Sequence, residues 1–137
     1  MKKSIFGVFG IVLIMGLSIL GCGGSNPPAA PLSAFQPEIV NTADNFQFQA
    51  TGTQNVSATV SYAWSNSGTR ATVNHSSAID SGTATVWIYD ANDSLVYTNG
   101  LVASLNEPTQ TGLAGNWRIR VTLNQCYGTL NFRAQML

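Results

Sequence analysis

From Phe46 to the end of the chain, apolar and polar residues alternate with a period of two. Phe46, Phe48 and Ala50 alternate with Gln47 and Gln49, and Val56, Ala58, Val60, Tyr62 and Trp64 with Ser57, Thr59, Ser61 and Ala63. Ala71, Val73 and His75 continue the pattern, as do Trp117–Leu123 and Leu130–Met136. Side chains on a strand point alternately to opposite faces, so such runs predict strands buried on one side. Thr83–Asp90 is the most β-prone run, with Val86, Trp87, Ile88 and Tyr89 in succession, and predicts a central strand. Shorter strands are predicted at Ser94–Thr98 and Leu101–Leu105. Turn-forming residues separate the runs at Thr51-Gly52, Ser65–Gly68, Asp80–Gly82, Ala91–Asp93 and Asn124–Gly128. The last of these predicts a C-terminal hairpin. Helical periodicity is absent after residue 22. The fold expected is all-β, an antiparallel β-sandwich of about seven to eight strands, with a barrel as the alternative. A membrane-spanning barrel is disfavoured by the short strand spacing and the few aromatics for interfacial girdles.

The first residues follow a different rule. Lys2 and Lys3 precede the uncharged run Ile5–Leu20, which ends at Gly21-Cys22 and is followed by Gly23-Gly24-Ser25-Asn26-Pro27-Pro28. A basic start, a short apolar stretch and small residues at the cut make a signal peptide. Ile19-Leu20-Gly21-Cys22 resembles the lipobox of bacterial lipoproteins. That resemblance implies cleavage before Cys22, lipidation of Cys22 and a cell-envelope location. With Gly23 rather than Asp after the cysteine, it implies the outer membrane if the source has two membranes. A spanning helix wants roughly 20 apolar residues, and this run is shorter and broken by Gly7, Gly10 and Gly16. The organisation expected is a signal peptide at 1–21, a lipidated Cys and Gly/Ser/Pro-rich tether at 22–37, and the sandwich at 38–137. Polyproline-like geometry gives the tether a reach of about 40 Å.

The cleavage changes the chemistry of what remains. Formal charge over the whole chain is zero, but the two lysines leave with the signal, so four arginines face six carboxylates, net −2. A Lys-free, mildly acidic domain lacks the basic footprint of a nucleic-acid binder. A lipidated Cys22 cannot pair with Cys126, which is then expected to sit as a small apolar residue beneath a loop, with an intermolecular disulfide or a reactive thiol as the alternatives.

Candidate chemistry is sparse. His75 is the single histidine and shares parity with Ala71 and Val73, so it is expected at the core edge, and no second ligand is spaced to share a metal with it. Asp90-Ala91-Asn92-Asp93-Ser94 is rich in oxygen ligands, but such residues also favour turns through side-chain-to-backbone bonds. Arg118, Arg120 and Arg133 fall on one face of the expected hairpin, where like charges would oppose one another. Either Asp44, Asp80 or Glu107 neutralises them, or they form an anion site. Trp87 and Tyr89 share the parity opposite Val86 and Ile88 and would form an aromatic platform if that parity faces solvent. Trp64 and Trp117 sit on apolar parity.

Thr83–Tyr89, Gly115-Asn116-Trp117-Arg118-Ile119-Arg120-Val121 and Gly128-Thr129-Leu130-Asn131-Phe132 resemble bacterial prepeptidase C-terminal-type sandwich domains. This resemblance supports the fold only. Gly82-Thr83 stands where that family usually has Asp. Together these readings favour a non-enzymatic, lipid-anchored binding or scaffolding module of the bacterial envelope. No cofactor is expected beyond the lipid on Cys22. The membrane is one partner through that lipid, and an envelope protein or a glycan the other. Two alternatives stay open: an accessory to an envelope hydrolase using His75 with Asp80 or Asp90, and a surface protein that self-assembles through an edge strand.

Overall fold

The computed structural model describes residues 26–101 and 104–137. The stretch read as a signal peptide and lipobox, Cys22 included, lies outside the described residues. A single 3-10 turn, Leu32–Phe35, precedes seven antiparallel strands: β1 Glu38–Thr42, β2 Asn45–Asn66, β3 Ala71–His75, β4 Ala78–Tyr89, β5 Leu95–Gly100, β6 Leu105–Pro108 and β7 Gly115–Met136.

Two of these strands, β2 and β7, run 22 residues each and belong to both layers of the sandwich. The first half of β2 pairs with β1 and with the second half of β7, which pairs in turn with β3, and β3 with β6. This is the first layer. The second half of β2 pairs with the first half of β7, which pairs with β4, and β4 with β5. This is the second. Phe46 and Tyr62 measure how far β2 folds over. Sixteen residues of straight strand would span about 53 Å, yet the two rings lie 5.3 Å apart, and Phe46 also packs at 5.8 Å on Phe132 of β7.

Sequence explains where the bend falls. Gly52 and Asn55 in β2, Gly82 in β4, and Gln125 and Gly128 in β7 all adopt positive φ. The β2–β7 register slips between Ala50 and Ala58, and the β4–β7 register between Ile79 and Thr83. Bulges of this kind turn a strand without ending it. Gly82 and Gly128 interlock there. A Cβ on Gly82 would overlap the Gln125 carbonyl oxygen, and one on Gly128 the Ala78 carbonyl oxygen. The space is filled by backbone, so only glycine fits.

Inside the fold, the alternating residues meet as expected. Phe46, Phe48, Val56, Trp64, Val73, Val86, Ile88, Leu101, Trp117, Ile119, Val121, Leu130 and Phe132 form one buried cluster. Trp64 and Trp117, partnered across β2 and β7, meet edge-to-face at 5.8 Å and 87°.

The structure corrects three expectations. The C-terminal hairpin is instead the continuous, bent β7, because Gln125 and Gly128 turn the chain into the opposite layer rather than back alongside itself. The stretch read as the end of the tether is partly docked: Leu32 is buried, Ala30 bridges Val56, and the side-chain amide of Asn55 donates to the carbonyls of Pro27 and Pro28. β1 was not foreseen, and the strand predicted at Leu101–Leu105 is observed at Leu105–Pro108. Pro108 is tolerated there because β6 is an edge strand.

Candidate functional site

The outer face of the second layer brings together four of the side chains singled out above, Trp87, Tyr89, Arg118 and Arg120. On β4, Val86 and Ile88 are fully buried, so Trp87 and Tyr89 project outward and are partly exposed. On β7, Ile119 and Val121 point in, and Arg118 and Arg120 point out. The register then sets rows across the strands. Ser61, Arg120, Trp87 and Thr98 form one row from β2 to β5; Ala63, Arg118 and Tyr89 form the next. Thr59, Thr122 and Thr85 form a third, with the Thr59 and Thr122 hydroxyls 3.0 Å apart.

Cross-strand placement of a cation beside an aromatic ring allows the two to pack face to face. The Arg118 guanidinium lies 4.2 Å from the Tyr89 ring centre, and that of Arg120 lies 4.7 Å from Trp87 and 5.4 Å from Tyr89. The anion candidates Arg118 and Arg120 and the platform candidates Trp87 and Tyr89 are therefore parts of one array. Arg133 is not among them. It projects from the other half of β7, on the outer face of the first layer, beside Asn74 and Gln47, whose side-chain oxygen accepts from it at 3.2 Å.

The two array arginines differ in their partners. Asp93 accepts from both Nε and Nη2 of Arg118, the one ion pair among the described residues. Of the three acids expected to neutralise the arginines, Asp44 accepts from the backbone amide and hydroxyl of Ser67, Glu107 from Asn99, and Asp80 is exposed at the bend. Sequence reasoning misses Asp93, which reads there only as part of an oxygen-rich turn. The signal was its place four residues beyond Tyr89, where the turn brings it back over the Tyr89–Arg118 row. Arg120 sits in a row with no acid, and its buried Nε has no hydrogen-bond partner.

Asp90 holds that turn. Its Oδ1 accepts from the amides of Asn92 (3.0 Å) and Ser94 (2.8 Å), and its Oδ2 from that of Leu113 (2.9 Å). The Leu113 and Ser94 amides hold its carboxyl below the usual carboxylate range. Beside it, Ser61, Ala63, Ala91, Asp93, Asn116 and Arg118 line an open depression of about 310 Å³ at the edge of the array. With both Asp90 oxygens engaged, the turn does the structural work that Asp, Asn and Ser favour. Among the described residues, no group of three His, Cys, Asp or Glu side chains could hold a metal.

His75 is buried, and its Nε2 lies 3.2 Å from the Tyr97 hydroxyl. Burial pushes the Tyr97 hydroxyl pKa up, and Glu107 beside it pushes it further. His75, Tyr97, Asn99 and Glu107 thus form a polar cluster where β3 and β6 meet β5, rather than a histidine and carboxylate open to solvent.

Cys126 is fully buried, 4.0 Å from the Thr53 hydroxyl, and burial raises its thiol pKa. A protonated, inaccessible thiol is a poor nucleophile. In a soluble fragment beginning at Ser25, Cys126 is expected to ignore a disulfide reagent such as DTNB in native buffer and to react fully once denaturant is added. Rapid native reaction would show that the bend opens locally.

No protein-family model matches the chain, and no curated protein is detectably similar to it.

Proposed function

We propose that the chain is a lipid-anchored lipoprotein of the bacterial envelope whose β-sandwich is a non-enzymatic binding module. The observation carrying the binding role is the array of Trp87, Arg120, Tyr89 and Arg118 on an outer sheet face. Half of the arginines that follow the signal sequence are committed there, ordered by aromatic rings rather than scattered in solvent. Arginine and large aromatics are the residues that dominate recognition surfaces. The buried His75 and the fully engaged Asp90 favour binding over hydrolysis.

Lipidation of Cys22 would also orient the domain. The Ala30 amide donates to the Asn55 carbonyl at 2.9 Å, so the chain enters at the bend. Pro27 lies five residues beyond Cys22, a contour of at most about 18 Å. The bend would then face the lipid. Tyr89 lies seven residues along β4 from Gly82, about 23 Å further out. On this arrangement the array stands clear of the membrane surface.

The test is expression of the full gene in a bacterium with labelled palmitate. The label is expected on the wild-type protein and absent from Cys22→Ala, with the mature mass beginning at Cys22. An unlabelled protein with an intact N-terminus would end the lipoprotein reading. Self-assembly is a second reading, favoured by β1, an edge strand with Val40 45% exposed and neither lysine nor proline within it. It predicts size-exclusion elution that shifts with concentration and is arrested by Val40→Lys.

A further inference from the structure

We propose that the outer face of the second layer binds carboxylated saccharides, with Arg120 holding the carboxylate and Trp87 supporting the sugar ring. The proposal rests on the binding role argued above and assigns its ligand class.

Arg120 is the centre of the argument. Its guanidinium is held against Trp87 and Tyr89, so much of its rotamer freedom is already lost before any ligand arrives. Its immediate cross-strand neighbours, Ser61 and Trp87, are uncharged, and Asp93, the acid that the neighbouring turn brings to this face, is engaged by Arg118. Nε is buried without a partner. What results is an oriented, uncompensated cation. The planar fork of a guanidinium matches a carboxylate, giving two parallel charge-assisted bonds.

The surroundings of that cation select the rest of the ligand. Trp87 lies between Arg120 and Thr98 in the same row, and Ser61 lies on the other side of Arg120. Arg120 takes one face of that ring, which leaves the other to stack the apolar face of a sugar, with the small hydroxyls bonding the sugar's rim. The surface is a sheet face, not a closed pocket, which suits an extended chain of sugar units. A protein partner would want an apolar anchor at the centre of the patch. The one large, strongly exposed apolar residue on β5 is Leu95, 48% exposed and on an edge strand.

Tryptophan emission from the full chain in detergent provides the readout, because Trp64 and Trp117 are buried and Trp87 is partly exposed. The probes are an oligogalacturonate, its neutral methyl ester and a sulfated oligosaccharide. The oligogalacturonate is expected to change the emission saturably, with affinity falling as salt is raised. The methyl ester should bind at least tenfold more weakly. Arg120→Gln should weaken oligogalacturonate binding at least tenfold, Arg120→Lys should lie between, and Arg133→Gln on the opposite face should leave it unchanged. Equal binding of the ester, or stronger binding of the sulfated probe, would overturn the carboxylate assignment and leave the face as a binding surface. An Arg133→Gln effect without an Arg120→Gln effect would overturn the face. If no saccharide binds, by emission or by calorimetry, the ligand class falls, while palmitate labelling still decides the lipoprotein reading separately.

Discussion

Gly128→Ala is expected to cost at least about 3 kcal/mol of stability and to lower the melting temperature by roughly 10 °C or more. Two effects add. At φ +130° the backbone occupies a region that residues with a Cβ rarely enter. The new methyl would also overlap the Ala78 carbonyl oxygen, so β4 would have to shift at the point where it follows β7 round the bend. Gly82→Ala is expected to act similarly, since its Cβ would strike the Gln125 carbonyl from the other side. Gln125→Gly is the informative contrast. Gln125 already sits at φ +46°, where a side chain costs about 1–2 kcal/mol. Glycine relieves that strain but adds about 0.5–1 kcal/mol of chain entropy, so the change should be neutral or slightly stabilising. Thermal unfolding of the three variants checks the set. A Gly128→Ala protein as stable as wild type would mean that the bend is not built from interlocked backbone.

The same residues show what could be read from the sequence and what could not. Alternation assigned the inward faces correctly for Phe46, Phe48, Trp64, Val86, Ile88, Trp117 and Phe132, because burial on one side imposes a period of two wherever the strand runs. The turn chemistry at Thr51-Gly52, Asp80–Gly82 and Asn124–Gly128 was also located correctly, but its consequence was not. Positive φ is needed both to reverse a chain into a hairpin and to bend one strand from layer to layer. Local residues look alike in the two cases. Only the pairing of β2 and β4 with both halves of β7 distinguishes them, and pairing is a long-range property.

The candidate site was legible to a similar depth. Parity alone separated Trp87 and Tyr89 from Val86 and Ile88, and Arg118 and Arg120 from Ile119 and Val121. That the four belong together depends on β4 and β7 being neighbours, which no local pattern encodes. The expected hairpin groups Arg133 with Arg118 and Arg120, but the continuous β7 carries it to the other layer, beside Gln47 and Asn74. The docking of Leu32 was hidden by its surroundings: Pro27, Pro28 and Pro31 signal an extended chain whether or not that chain is packed.

Removing the Asp90 carboxylate is the second change with a large expected effect. Asp90→Ala takes the acceptor from three backbone amides, those of Asn92, Ser94 and Leu113. An unmet buried donor costs about 1–3 kcal/mol. Residues 91–95 are exposed, so water can replace part of what is lost there. A total near 3 kcal/mol is expected. Asp90→Asn keeps one acceptor oxygen and loses the charge, so it should cost less. The pH dependence gives a separate signature. Because the native carboxyl titrates below its unfolded value of about 3.9, its contribution is complete above pH 4 and is lost as the pH falls through the native value. The stability gap between wild type and Asp90→Asn should therefore narrow on acidification, since only the wild type loses this carboxylate. A gap constant from neutral pH down to acid would show that the charge on Asp90 does not matter. The turn it holds also carries Asp93 to Arg118. If the turn loosens, Arg118 loses its counter-ion while Arg120 keeps its ring contacts. Asp90→Asn should then leave the face more positive and raise, not lower, its affinity for an oligogalacturonate.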